Sequence, residues 1–158
     1  MVGFNRRFAP LAIEMKKQLN ANLPSAINYR INAGIVPKEH WTHDPASGGG
    51  RIIGEVCHFI DFCSFITESF VVEVSAHVMN DASLLQDTVS ISLKLSNGSI
   101  ASISYFSNGN KDLSKEHIEV FNGGLVMVLN DFKELTSYAP RGTKTIKSTQ
   151  DKGHKQEI

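Results

Sequence analysis

Almost everything after Phe70 is written in period two, and that alternation confines the chain to folds built around a sheet. Val72, Val74, Ala76 and Val78 alternate with Glu73, Ser75 and His77. Val89, Ile91, Leu93 and Leu95 alternate in the same way with Ser90, Ser92, Lys94 and Ser96. Residues two apart on a strand share a face, so each run predicts a strand with one face toward a core. Asn97-Gly98 then supplies the two left-handed positions of a tight hairpin turn, with 99–106 as the return strand. A second hairpin joins 116–121 to 125–129 through Asn122-Gly123-Gly124, and weaker strands are expected at 132–138 and 143–147.

Ahead of this region the period changes. Leu11, Ala12, Met15 and Leu19 recur at helical spacing behind Pro10, which suits a first helical turn, so 9–19 reads as a helix. The segment 26–33 alternates as a strand, with polar Asn28, Arg30 and Asn32 on one face. A long irregular loop with two prolines and three consecutive glycines comes next over 34–50; loops of that length in compact domains tend to be functional. Ile52, Val56, Phe59, Ile60, Cys63 and Ile66 then form an apolar stripe, and 51–66 is the strongest helix in the chain. The expected fold is therefore α+β, an open, mostly antiparallel meandering sheet with two main helices on one face. Two helices cannot cover both faces of such a sheet. The face bearing Ser90, Ser92, Ser102 and Ser104 should be wet or packed against another copy of the chain.

With 158 residues the chain is sized for a single domain, and roughly two-thirds of its unfolded surface would be hidden on folding without disulfide staples. Sixteen Lys+Arg against 16 Asp+Glu leave a net charge of +0, which argues against nucleic acid or an anionic membrane as partner. There is no long apolar stretch and no signal-peptide core after Met1, and the two cysteines read as buried thiols of a reducing compartment, so cytoplasm is the default location.

Chemistry is concentrated between Gly48 and Asp61. Glu55, His58 and Asp61 are spaced i,i+3 along one flank of the second helix, opposite its apolar stripe. A histidine between two carboxylates can be oriented and tuned for proton transfer near neutral pH; the competing reading is a half-exposed polar face with no task. Three glycines at a helix start would bring backbone close to a ligand and leave free N–H groups for an anionic or hydroxylated group. His40-x-x-His43-Asp44 has the residue types of a metal site but lacks further partners, so no metal is expected. No dinucleotide or P-loop glycine fingerprint is present.

Asn5-Arg6-Arg7-Phe8, Asn28-Tyr29-Arg30, Ala33-Gly34, His40-Trp41, Asp44-Pro45, the Gly48-to-Asp61 run, Asn122-Gly123-Gly124 and Gly153-His154-Lys155 together resemble the C-terminal domain of the glucose-fructose oxidoreductase and inositol dehydrogenase family, Gfo/Idh/MocA. The resemblance covers nearly the whole chain. It implies that 1–158 is one substrate-binding and oligomerisation domain. An N-terminal Rossmann domain, which holds NAD or NADP and carries a catalytic lysine, would be absent from this sequence, as would a closing helix. On that reading the chain is inactive alone, and its parent is a dehydrogenase of a sugar, polyol or nucleotide-sugar.

Carried over by position, His58 is the residue that exchanges a proton with the substrate hydroxyl while hydride moves to the nicotinamide. Many members place an aspartate one turn before it, where this chain has Gly54. Either Glu55 substitutes from a neighbouring angle or the lysine and His58 work alone. Asp61 is expected to anchor the helix. Asp44, Trp41 and Arg51 are substrate-binding candidates on the loop that resembles the pocket wall, with Trp41 either covering a sugar face or anchoring the loop as a buried ring. Arg6, Arg7 and Arg30 are expected in salt bridges or at the domain junction, with a cofactor phosphate as the other option. The alternative for the whole chain is a non-catalytic binding or assembly module that keeps the fold.

Overall fold

The structure is a computed structural model that describes residues 3–44, 46–80 and 86–157. Pro45, half of the Asp44-Pro45 pair, lies outside the described residues. Helices α1 (Pro10–Gln18) and α2 (Cys57–Thr67) accompany eight strands: β1 (Ala26–Asn32), β2 (Val71–Val78), β3 (Val89–Leu95), β4 (Ile100–Phe106), β5 (Glu116–Asn122), β6 (Leu125–Asn130), β7 (Glu134–Ala139) and β8 (Gly142–Lys147). They form one sheet in the order β2-β3-β4-β1-β5-β6-β7-β8. The meander holds on either side of β1, but β1 itself sits in the middle, parallel to β4 and antiparallel to β5. Alternation says which residues share a face; it does not say which strand lies next door, and the chain between β1 and β4 carries a whole helix and two strands.

The core lies on one face only. Ile27, Tyr29 and Ile31 of β1 are buried with Ile103 and Tyr105 of β4 and Ile118 and Val120 of β5. Phe59, Phe62, Cys63 and Ile66 of α2 and Leu11, Ala12 and Met15 of α1 close over them. The Tyr29 ring meets Phe59 and Phe62 edge-on at centroid separations of 5.2 and 5.4 Å, an arrangement that aromatic quadrupoles favour. On the opposite face Ser90, Ser92, Ser102 and Asn28 are exposed. Register aligns them, since Ser92 pairs with Ser102 and Ser102 with Asn28.

Two local expectations are corrected. Only Gly98 is left-handed in the first hairpin, so Asn97-Gly98 is not a two-residue mirror turn. Leu95 and Ser99 close a three-residue connection, because Asn97 is occupied elsewhere: its amide donates to Thr67 O at the end of α2 (2.9 Å). The two-residue turn with both positions left-handed is Gly123-Gly124, with φ of 55° and 88°. Secondly, β2 forms as expected but does not face a core. Val72, Val74 and Val78 are 52%, 62% and 46% exposed, because α2 packs over β4 and α1 over β6 and β7, leaving the outermost strand uncovered by either helix.

The two ends of the described chain meet on the helix side. Asn5 Nδ2 donates to Lys152 O at 2.7 Å, and Gly153 has φ of 84° with no room for a Cβ, which would fall 2.3 Å from Asn5 O. No helix among the described residues is long and apolar enough to cross a membrane.

Candidate active site

The approach to α2 is a tightly self-bonded turn. Asp44 O accepts from the N–H groups of Ser47, Gly48 and Gly49 at 3.3, 2.8 and 3.0 Å, and Gly50 N–H donates to Thr42 O at 3.0 Å. The expected free N–H groups are therefore spent within the loop, a correction whose cause is how sharply the chain must fold back. A Cβ at Gly48 would stand 2.4 Å from Trp41 O, and Gly49 and Gly50 carry φ of 66° and 89°. The Asp44 carboxylate, fully exposed, accepts from Ala46 N–H and the Ser47 hydroxyl, and the Ser47 bond foremost lowers its pKa. Trp41 is 63% exposed, so its ring does not anchor the loop and is open to a ligand.

Arg51 enters α2 buried. Its guanidinium donates to Gly34 O (2.8 Å) and Ala33 O (3.0 Å), lies 3.7 Å from Asp87 and stands over the Tyr105 ring at 5.6 Å. It ties the end of β1 to the start of α2. Its side chain is only 4% exposed, so the geometry gives it a positioning task.

The next turn, Ile52–Val56, is a π-helix, which the apolar stripe did not announce. An extra residue in one turn rotates the two flanking stretches of helix relative to each other, and such turns recur at functional sites. Gly54 and Glu55 lie within it, His58 just beyond. A Cβ added at Gly54 meets nothing within 4 Å. Glu55 is half-buried and paired to Lys115 Nζ at 3.0 Å, with Arg51 Nε at 3.5 Å. Burial raises its carboxyl, but Lys115 and Arg51 outweigh that and hold it below the ordinary value.

His58 is half-buried, with Phe4 edge-on at 5.7 Å and Nδ1 buried without a hydrogen-bond partner among the described residues. Burial first, and then the Arg6 charge, lower its pKa against the opposing pull of Asp61, Glu157 and Glu55. Both favour the neutral imidazole, the form able to take a proton. The flanking carboxylates do not orient it by hydrogen bonds, as their spacing had suggested. Asp61 instead receives both Nε (3.0 Å) and Nη2 of Arg7, anchoring α2 to the segment before α1.

The strongest polar feature escaped the motif reading. Glu116 is fully buried and accepts from Arg6 Nε and Nη2 (2.8 and 3.0 Å), Lys152 Nζ (2.7 Å) and the Tyr29 hydroxyl. Burial raises its carboxyl, and the two cations overcome this and take it down to about 2. The signal was present in the alternation, since Glu116 heads the face of β5 that continues with Ile118 and Val120. Arg30 donates to Ser114 O at 2.7 Å, so Arg6 and Arg7 make salt bridges and Arg30 holds backbone. Cys63 is buried, which pushes its thiol up to about 12 and leaves it inert. Among the described residues no group of three His, Cys, Asp or Glu side chains is placed to hold a metal ion.

The family model of the GFO/IDH/MocA C-terminal domain matches residues 24–121. No curated protein matches the chain. Among solved structures it is similar to an inositol dehydrogenase homolog complexed with NAD+ from Azotobacter vinelandii, at 11% identity and TM-score 0.74 over 91% of this chain and 42% of that one. It is similar to UDP-N-acetylglucosamine 3-dehydrogenase from Acidithiobacillus ferrooxidans, at 16% identity and TM-score 0.73 over 95% and 47%. It is also similar to the super-repressor mutant of Gal80p from Saccharomyces cerevisiae, at 14% identity and TM-score 0.79 over 96% and 47%. At these identities the likeness is one of fold, and the chain spans less than half the length of each of these proteins.

Proposed function

Because the chain belongs to the GFO/IDH/MocA family as its C-terminal domain, we propose that it is the substrate half of an NAD- or NADP-dependent oxidoreductase acting on a sugar, polyol or nucleotide-sugar. The observation that carries this reading is His58, a half-buried imidazole just beyond the π-turn whose neutral form is favoured by partial burial and the Arg6 charge. A neutral imidazole accepts the proton of a substrate hydroxyl as the carbon beneath it loses hydride, and returns that proton in the reverse direction. Glu55 shapes the field at this point together with Lys115, its ion-pair partner. Trp41 and Asp44 line the loop on the substrate side, and Arg51 holds that loop to α2. The described residues include no phosphate-binding glycine turn, so they do not fit the nicotinamide dinucleotide by themselves. The cofactor supplies hydride transfer when bound, and its binding belongs to a Rossmann domain elsewhere in the parent protein.

Two further elements complete the reading. The serine-lined open face joins copies of the protein sheet to sheet. The free thiols Cys57 and Cys63 suit the cytoplasm. The second reading, a non-catalytic binding or assembly module, is favoured by open space at Gly54 and by the missing hydrogen bond to His58 Nδ1. Turnover screening of the full-length protein against sugars, polyols and nucleotide-sugars with both cofactors separates them. Nicotinamide reduction with one substrate class is expected; ligand binding without reduction of either cofactor supports the module.

A further inference from the structure

A cavity of about 490 Å³ opens at the carboxyl end of β1, where Asn32, Lys111, Lys115 and Lys133 meet Asp112 and Asp131, and Lys115 in its wall is the residue paired to Glu55. The loop that forms it, 107–115, is held in one shape. Asn32 Nδ2, buried, donates to Asn110 O (2.7 Å) and Leu113 O (3.0 Å), and Gly109 lies so close to Asn32 that a Cβ would stand 2.0 Å from Oδ1. The stem of Lys111 lies on Gly34, where a Cβ would meet Lys111 Cγ at 2.7 Å.

The charges are not balanced in the direction of the site. Asp131 is met by Lys133 (3.4 Å), Lys152 (3.7 Å) and Gln150 (2.8 Å). Asp112 is exposed. Lys115 is shared with Glu55, and Lys111 makes none of the ion pairs found among the described residues. A stem pinned on a rigid loop leaves an ammonium that gives up little freedom when it meets an anion.

We propose that this cavity binds an anionic substituent of the substrate, a carboxylate or phosphate group, through Lys111 and Lys115. This rests on the oxidoreductase reading above and narrows its substrate to a hydroxylated acid or phosphorylated sugar. Glu55 links the two halves: it sits three residues before His58 and pairs with Lys115 of the cavity wall at 3.0 Å, so one ion pair connects the anion site to the helix that carries the acid/base candidate.

The test uses the full-length protein with D-glucose, D-glucuronate, glucose 6-phosphate and UDP-N-acetylglucosamine, which separate a carboxylate from a monophosphate and a nucleotide diphosphate. One of the acids is expected to exceed glucose in kcat/KM by tenfold or more, mainly through KM, with an advantage that shrinks in high salt. In Lys111→Ala that acid-to-glucose ratio falls about tenfold, and Lys111→Arg restores most of it. A ratio unmoved by Lys111→Ala overturns the proposal. If nothing is oxidised, calorimetric titration of the same four compounds decides separately. Lys111-dependent binding of an acid upholds the anion site and contradicts the oxidoreductase reading, and no binding of any acid overturns the site.

Discussion

Glu116 and His58 show two opposite uses of burial at the level of single residues. Around Glu116, burial is compensated by Arg6, Lys152 and Tyr29, and removing one member leaves the others as uncompensated charges. Glu116→Gln is expected to destabilise the fold by about 3–5 kcal/mol, read as a lower midpoint in urea with an unchanged slope. Its carboxyl sits at about 2 folded against an ordinary value of 4.5, so its contribution is complete above pH 4.5 and is lost as pH falls toward 2. The variant should flatten the acid limb of the stability curve, and an unaltered acid limb contradicts the assignment. Around His58, burial is left uncompensated at Nδ1 and favours the neutral ring. Activity that needs a neutral base falls as pH drops through its pKa. The acid limb of kcat/KM should therefore lie below the ordinary imidazole value of 6.5 and disappear in His58→Ala.

Among the elements, α2 serves both the core and the candidate site. Its apolar stripe was readable because Val56, Phe59, Cys63 and Ile66 repeat at helical spacing; Phe62 joins them in the core. Phe62→Ala should cost about 3–5 kcal/mol in chemical denaturation, the usual range for emptying a buried aromatic site. The π-turn before it was not readable, since Ile52 and Val56 at its two ends keep the spacing of four that an ordinary helical turn would also show. The glycine triplet was readable as a place of close backbone approach but not as a self-satisfied turn, because its acceptors are carbonyls of Thr42 and Asp44, which any residue would supply. Gly48→Ala is expected to destabilise by roughly 1–3 kcal/mol, as an overpacked site does, and to raise KM through displacement of Trp41. Stability and KM equal to wild type would contradict that packing. β2 could not be placed from its alternation, because whether a valine face is covered depends on where the helices lie across the sheet.

For the whole molecule, a neutral chain with one covered and one open sheet face has two surfaces to complete. The open face has its serines and Asn28 in register across β3, β4 and β1. Ser102→Arg at the middle of that row should lower the mass of the full-length protein in light scattering from an oligomer toward a monomer; an unchanged mass places the interface elsewhere. The other completion is chemical, because on the proposed reading His58 is an acid/base that needs a hydride acceptor held outside the described residues. The most direct measurement is kcat of the full-length protein with His58 replaced by alanine, using its best substrate and cofactor. A loss of roughly 10²-fold or more is expected, the scale of a general acid–base group, with folding intact. Turnover close to wild type would contradict the role of His58 and with it the catalytic reading of the domain.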